Sequence, residues 1–154
     1  MAVERSADPG MRRKIRGVCS LYGGFGANDS RSMRLYGRRE DGLDRECIER
    51  YWALANHGDG LSLYSVPALR SDSPVPVYLM ICGRDPLRDD SLQFARALRA
   101  LGRDVAVDLV RSAGHGFLHE QGSALADGAV KRLAGWIARK APCSGTISNA
   151  NNNA

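Results

Sequence analysis

Residues 75–90 read V-P-V-Y-L-M-I-C-G-R-D-P-L-R-D-D, and they carry the strongest structural signal in the chain. The apolar run over 75–82 is unbroken, which is typical of a strand covered on both faces of a parallel sheet. A Gly-Arg-Asp-Pro-Leu turn follows. Asp89, Asp90 and Ser91 then provide negative charge and a capping hydroxyl, which favour the start of a helix.

The residues after this stretch continue the alternation of helix and strand. One helix is expected to end at Gly102, with an apolar stripe formed by Leu92, Ala95, Leu98 and Leu101. Residues 105–110 predict a second strand, which Asp108 interrupts. A last helix is expected over about 123–140. Its buried face is expected to contain Leu125, Ala129, Leu133, Trp136 and Ile137.

The residues before this stretch give a weaker pattern. Residues 15–22 predict a buried strand that ends in a Gly-Gly-Phe-Gly loop, and 27–42 show no clear periodicity. Residues 43–55 predict a helix, with apolar positions at Leu43, Cys47, Tyr51 and Leu54. Strands and helices that alternate through short connections predict an α/β fold, a parallel sheet with flanking helices.

The chain of 154 residues fits a single domain with flanking segments. Residues 1–14 form a polar, basic segment, and 15–141 form the α/β domain. The tail, residues 142–154, ends in N-A-N-N-N-A and is expected to be disordered.

Charge and cysteine usage narrow the classes of function. Residues 1–40 hold nine basic and four acidic side chains, but without a nucleic-acid-binding motif, so we expect no nucleic-acid partner. The four cysteines are scattered, with no CxxC pair, which indicates reduced thiols in a cytoplasmic protein and no zinc site. The sequence shows neither a signal peptide nor a membrane span.

Two candidate catalytic residues, Asp85 and His115, follow the ends of the two predicted strands. Parallel strands place their carboxyl ends at one edge of a sheet, where open α/β sheets bind ligands, so the two side chains can share a hydrogen bond. Gly114 and Gly116 leave the imidazole on an open turn. An aspartate bonded to an imidazole fixes its tautomer and stabilises the imidazolium, as in a nucleophilic triad. The alternative is a plain turn and a plain loop.

The same residues carry a family resemblance. The G-R-D-P-L-R-D-D sequence at 83–90, followed by G-H-G-F at 114–117, closely resembles the C-terminal part of α/β-hydrolases. The branch is the hormone-sensitive-lipase-like esterases, which include acetyl esterases and arylesterases. The resemblance implies that Asp85 is the catalytic acid, that His115 is the general base, and that no cofactor or metal is needed. Asp90 stands where the family usually has glutamate, in a position expected to cap a helix.

The rest of the expected triad is missing from the sequence. No G-x-S-x-G elbow occurs in the 154 residues, and the nearest approach, G-V-C-S-L at 17–21, lacks the final glycine. Cys19 and Ser20 are therefore expected to be core-strand residues. The H-G-G-G segment that supplies the family's oxyanion hole is also absent. The chain is thus expected to be inactive alone, with a substrate pocket that comes largely from residues outside it.

Several alternatives remain for a chain of this kind. It can be a split enzyme that acts on a small ester once a partner supplies the nucleophile, a non-enzymatic binding remnant, or a truncated product without function. Absent central strands would leave an open apolar sheet edge, which favours self-association or pairing with another chain.

The remaining histidines and the tryptophans are weaker candidates. His115 and His119 are four residues apart beside Glu120, but the order is reversed relative to H-E-x-x-H, so no metal site is expected and His119 is interpreted as a surface residue. His57 is interpreted as exposed. Both tryptophans, Trp52 and Trp136, lie on apolar helix faces and are expected in the core.

Overall fold

The computed structural model describes residues 15–26, 29–38, 43–56 and 75–140. The elements are β1 (Val18–Leu21), α1 (Arg31–Tyr36), α2 (Arg45–Asn56), β2 (Val77–Arg84), α3 (Arg88–Ala100), β3 (Val105–Gly114), a 3₁₀ helix (Phe117–His119) and α4 (Ala124–Lys140). The strands form one parallel sheet in the order β1-β2-β3, so the predicted α/β class is confirmed. The predicted N-terminal segment, the tail and His57 lie outside the described residues.

The central strand β2 forms the middle of the core because its side chains alternate between two apolar layers. Tyr78, Met80 and Cys82 pack in the layer that contains α4. Val77, Leu79 and Ile81 pack in the layer that contains α3. All six side chains are at most 4% exposed, as the unbroken apolar run predicts.

The strand register brings all three carboxyl ends to one edge. Val77 in β2 is aligned with Val18 in β1 and with Val105 in β3. Near the end of β2 the register with β3 shifts, at Gly83, where a Cβ atom would lie 2.1 Å from the carbonyl oxygen of Arg111. Only glycine allows this close approach of the two backbones. The strand ends therefore meet where the candidate residues lie.

Helix α4 packs on the sheet through part of the predicted face, since Ala129, Leu133 and Trp136 belong to the core cluster as predicted. Its buried residues are Ala126, Ala129 and Trp136, whereas Leu125 and Ile137 are 38% and 48% exposed, so the prediction was wrong for those two. The Trp136 ring packs against Tyr78, with ring centroids 5.4 Å apart. This contact fixes the rotation of the helix and turns its small alanines toward the sheet.

Three details of the N-terminal half also differ from expectation. The short helix α1 was not predicted, because six residues are too few to show a period; the Ser30 hydroxyl accepts a hydrogen bond from the Met33 amide and caps it. Cys19 is exposed on β1, so it is not a core residue. In α2, Ile48 is buried while Tyr51 is 64% exposed.

The start of α3 is not capped as predicted. Its N-cap is Leu87, which makes no side-chain capping bond. Asp89 instead binds α1, and Asp90 and Ser91 bind the loop after β1, all through partners that are distant in sequence. Across the described part of the chain, no helix is long and apolar enough to cross a membrane.

Candidate active site

Asp85 is the first residue after β2, and its side chain is held by the turn that it opens. Its Oδ1 accepts a hydrogen bond from the Leu87 amide at 2.8 Å, and its carbonyl accepts one from the Arg88 amide at 3.1 Å. The residue is 1% exposed. Its second carboxylate oxygen, Oδ2, is therefore the one that can bind another side chain.

His115 is the first residue after β3, on the neighbouring strand end. The turn continues through Gly116, whose φ of +75° is in the left-handed region that favours glycine. The His115 side chain is 31% exposed. The two glycines flanking this residue thus present the imidazole in an open turn, as the sequence predicts.

The structure brings these two residues together. The distance from His115 Nδ1 to Asp85 Oδ2 is 2.8 Å, a hydrogen bond between a buried carboxylate and a partly exposed ring. With Nδ1 bonded in this way, Nε2 is the ring nitrogen that can exchange a proton with a reacting group. The arrangement is that of an acid–base pair.

Cys82 lies beneath this pair in the core. It is 0% exposed. Burial, followed by the negative charge of Asp85 and a hydrogen bond to it, raises the pKa of the Cys82 thiol from 9.0 to about 12. The thiol is therefore protonated and unreactive at neutral pH, and it is not a candidate nucleophile.

The loop after β1 lies at the same edge of the sheet as Asp85 and His115. Tyr22 follows β1, and its ring contacts His115 edge-on, with ring centroids 5.1 Å apart. Tyr22 was not predicted as a site residue, although it ends a predicted strand in the same way that Asp85 and His115 follow theirs.

The first turn of α3 holds that loop. The Asp90 carboxylate accepts hydrogen bonds from the backbone amides of Phe25 and, at 3.1 Å, Gly26. The Ser91 hydroxyl donates to the carbonyl of Gly23 at 2.7 Å. Asp90 is thus a loop-binding carboxylate and not a helix cap, which corrects the prediction for this residue.

A second carboxylate in this turn holds α1. Asp89 accepts a hydrogen bond from the Ser32 amide at 2.8 Å and one from Arg88 at 2.9 Å. Burial raises the pKa of Asp89, but the hydrogen bonds from Arg88 and Ser32 outweigh it, so the pKa lies below its ordinary value of 3.8. The carboxylate is ionised at neutral pH.

An apolar cavity of about 390 Å³ opens beside His115. It is lined by Leu21, Tyr22, Gly24, Leu43, Ile48, Tyr51, Trp52, Leu87 and His115. Trp52 is thus a half-buried wall of the cavity, where a core position was predicted. The chain itself contributes a pocket next to the imidazole, although the sequence was expected to place most of the pocket elsewhere.

The other predicted residues lie apart from this edge. His119 is exposed in the 3₁₀ helix, and Trp136 is buried in the core. Within the described ranges, no three His, Cys, Asp or Glu side chains are grouped so that they could hold a metal ion.

Comparisons with known proteins identify the family of the chain. A family model described as alpha/beta hydrolase fold matches residues 1–119. The chain therefore belongs to the α/β-hydrolase family, as its sequence predicted.

Within that family, the curated relatives that it resembles are hormone-sensitive lipases. The mouse (Mus musculus) protein is 46% identical over 56 residues, which is 34% of this chain and 7% of the lipase. The bovine (Bos taurus) protein is 38% identical over 71 residues, covering 38% and 9% of the two chains. The chain thus matches a small part of each lipase, and the predicted kinship with lipase-like esterases is confirmed.

Solved esterase structures share the fold. One of two fungal esterases from Rhizomucor miehei superposes with a TM-score of 0.73 at 18% identity, over 89% of this chain and 46% of that one. The Pyrobaculum calidifontis esterase gives 0.64 at 20% identity, over 77% and 41%. This chain therefore spans less than half of the esterases that it matches.

Proposed function

We propose that this chain carries the acid–base half of a carboxylic-ester hydrolase, with Asp85 and His115 as its catalytic pair. The observation that supports this most is the hydrogen bond of 2.8 Å between His115 Nδ1 and Asp85 Oδ2 at the carboxyl edge of the sheet. Asp85 would hold the imidazole in the tautomer that leaves Nε2 unprotonated. It would also stabilise the imidazolium that forms during the reaction.

The chemistry follows the order of a serine hydrolase. His115 Nε2 takes the proton of a serine hydroxyl as its oxygen attacks the ester carbonyl. The imidazolium then gives that proton to the leaving alcohol, and an acyl-enzyme remains. Water, activated by the same nitrogen, hydrolyses the acyl-enzyme. These steps need no metal ion and no organic cofactor.

The substrate is proposed to be a small ester with an apolar group. The cavity beside His115 is walled by aliphatic and aromatic side chains, chiefly Leu43, Ile48 and Trp52. Its volume of about 390 Å³ suits a group of modest size. One part of the ester would occupy this cavity while its carbonyl lies near the imidazole.

The nucleophile and the oxyanion donors are proposed to come from a second chain segment. The sequence has no G-x-S-x-G motif, and in triad enzymes the nucleophile and oxyanion hole provide most of the rate. We therefore expect no turnover by this chain alone. Such a chain can serve as one part of a split enzyme.

The outer edge of β1 is the proposed docking surface for that segment. Within the described sheet, β1 pairs on one side only, with β2. On the neighbouring helix, Val130 and Ile137 are 49% and 48% exposed. The match covers only 46% of the Rhizomucor miehei esterase chain, so more than half of that esterase has no counterpart here. A parallel strand from a segment that bears the nucleophile is therefore the proposed occupant of this edge. Self-association through this edge is the competing outcome.

A chimera tests the proposal. Residues 15–140 would replace the matching C-terminal segment of the Rhizomucor miehei esterase, and hydrolysis of a short-chain 4-nitrophenyl ester would be measured for the chimera and for this chain alone. We expect turnover by the chimera only. His115→Ala should abolish it, whereas the matched control His119→Ala, an exposed histidine four residues away, should not.

Two results would count against the proposal. Turnover by the isolated chain that disappears in His115→Ala would refute the need for a second segment. A folded chimera that keeps its activity in His115→Ala would refute the role of the imidazole as the base.

A further inference from the structure

Tyr22 occupies an unusual backbone position at the end of β1. Its φ is +42°, in the left-handed region, and among the described residues it is the one non-glycine residue with a positive φ. Its amide donates a hydrogen bond to the Met80 carbonyl at 2.8 Å, so the strained residue is anchored to β2. Strain of this kind persists where the surrounding structure fixes it, and it is concentrated at functional sites.

The strained backbone directs the Tyr22 ring onto the imidazole. The ring meets His115 at an interplanar angle of 66° and Phe117 at 69°, with centroid distances of 5.1 Å and 6.3 Å. These are edge-to-face contacts, the arrangement that aromatic rings favour. Tyr22 therefore packs against the catalytic ring and against a buried residue, Phe117, at the same time.

The hydrogen bond to Asp85 does not by itself fix the orientation of the imidazole. The ring turns about χ1 and χ2, and a single bond at Nδ1 permits more than one combination of these two angles. An aromatic ring packed against the imidazole removes that freedom. Asp85 thus fixes one atom of His115, and Tyr22 fixes the plane of its ring.

The turn after β2 and the first turn of α3 together hold both contacts with His115 in place. Asp85 opens the turn that leads into α3, while Asp90 and Ser91 in the first turn of α3 bind the loop that begins at Tyr22. A shift of this helix start would move the Asp85 contact and the Tyr22 contact together.

We propose that Tyr22 is a positioning residue for His115, and that its ring sets the direction in which Nε2 points. The proposal deepens the proposed function and rests on it, since it takes His115 as the base. The aromatic ring is the active feature of Tyr22, so phenylalanine should replace it and an aliphatic side chain should not.

Nuclear magnetic resonance on the full chain tests the proposal without any nucleophile. In the wild type, we expect cross-relaxation between the ring protons of Tyr22 and His115, and couplings that report a single His115 χ1 rotamer. Tyr22→Leu and Tyr22→Met should populate a second rotamer, and Tyr22→Phe should restore the single one. Absence of the ring–ring cross-relaxation in the wild type overturns the proposal even where a variant fails to fold.

The catalytic consequence is measured in the chimera. Tyr22→Leu should lower kcat about tenfold or more, with a smaller change in KM, and Tyr22→Phe should recover most of kcat. A folded Tyr22→Leu variant that keeps one His115 rotamer overturns the positioning role. An inactive chimera in which the rotamers respond as expected would instead refute the proposed function and leave the contact standing.

Discussion

Asp85 and Asp90 lie five residues apart in one turn-and-helix segment, and both are 1% exposed, yet they bind different kinds of partner. Asp85 binds the imidazole of His115, a group that can change its charge. Asp90 binds the backbone amides of Phe25 and Gly26, which are neutral and cannot change their charge. The charge of Asp85 therefore faces a group that can exchange protons, whereas that of Asp90 stabilises the loop that follows Tyr22. Burial alone therefore does not distinguish the carboxylate proposed as catalytic from the one that holds the loop.

The largest effect that follows from this comparison is on catalysis. In the active chimera, Asp85→Asn should lower kcat by roughly 10⁴-fold, because the amide favours the wrong imidazole tautomer. The free energy of unfolding should change by less than about 1 kcal/mol, since the amide oxygen can still accept from the Leu87 N–H. Ester hydrolysis and urea denaturation measure the two quantities. Asp104→Asn, at an exposed aspartate, is the control, and equal losses in both variants would contradict the assignment.

The second effect concerns the thiol beneath Asp85. With its pKa raised to about 12, Cys82 should react with a thiol reagent on the order of 10³-fold more slowly than an unperturbed thiol, since each pKa unit lowers the thiolate fraction about tenfold. Mass spectrometry of the labelled native chain measures this, with the exposed Cys19 as the internal control. Labelling of Cys82 as fast as Cys19 would show that the base of the site is open to water.

The third effect falls on stability. Asp90→Ala removes the acceptor of two loop amides, one of them the amide of the buried Phe25, and should lower the free energy of unfolding by about 2–3 kcal/mol. Gln93→Ala, at an exposed position of the same helix, should change it by less than about 0.5 kcal/mol. Urea denaturation of the chain provides both values. Equal stability of the two variants would mean that the loop does not depend on Asp90.

The smallest effect is on the pH dependence of stability. The pKa of Asp89 is lowered by folding, so its stabilising contribution is present above the unfolded value of about 3.9 and is lost as the pH falls through the lower folded value. Asp89→Asn should cost about 0.5 kcal/mol at neutral pH, because the ion pair with Arg88 is partly exposed. The free energies of unfolding of the wild type and of Asp89→Asn, measured by urea denaturation, should become equal at acidic pH. A difference in the free energy of unfolding that grows as the pH falls would contradict this prediction.

The sequence was sufficient for the features that depend on strand ends. The apolar run of β2 predicted a strand covered on both faces, and parallel strands place Asp85 and His115 at one edge of the sheet. Two flanking glycines showed that the His115 ring is presented on a turn. These inferences use period and spacing, which a single sequence contains.

Other features depend on contacts between distant residues and could not be read in the same way. Asp90 was interpreted as a helix cap because its loop partners lie 64 and 65 positions away, and nothing in the sequence joins them to it. Leu125 and Ile137 were wrongly placed in the buried face of α4, at the border of the face through which Trp136 packs on Tyr78. The cavity beside His115 was missed because its wall combines residues of α2 with residues of β1 and of the loop after it, which are distant in sequence.

The protonation pattern of the two His115 ring nitrogens tests the central claim most directly. In the ¹⁵N-labelled chain at alkaline pH, we predict a proton on Nδ1, shifted strongly downfield by its hydrogen bond to Asp85, and an unprotonated Nε2. In Asp85→Asn that downfield proton should disappear. A proton on Nε2 in the wild type, or an Nδ1 proton unaffected by Asp85→Asn, would contradict the acid–base pair.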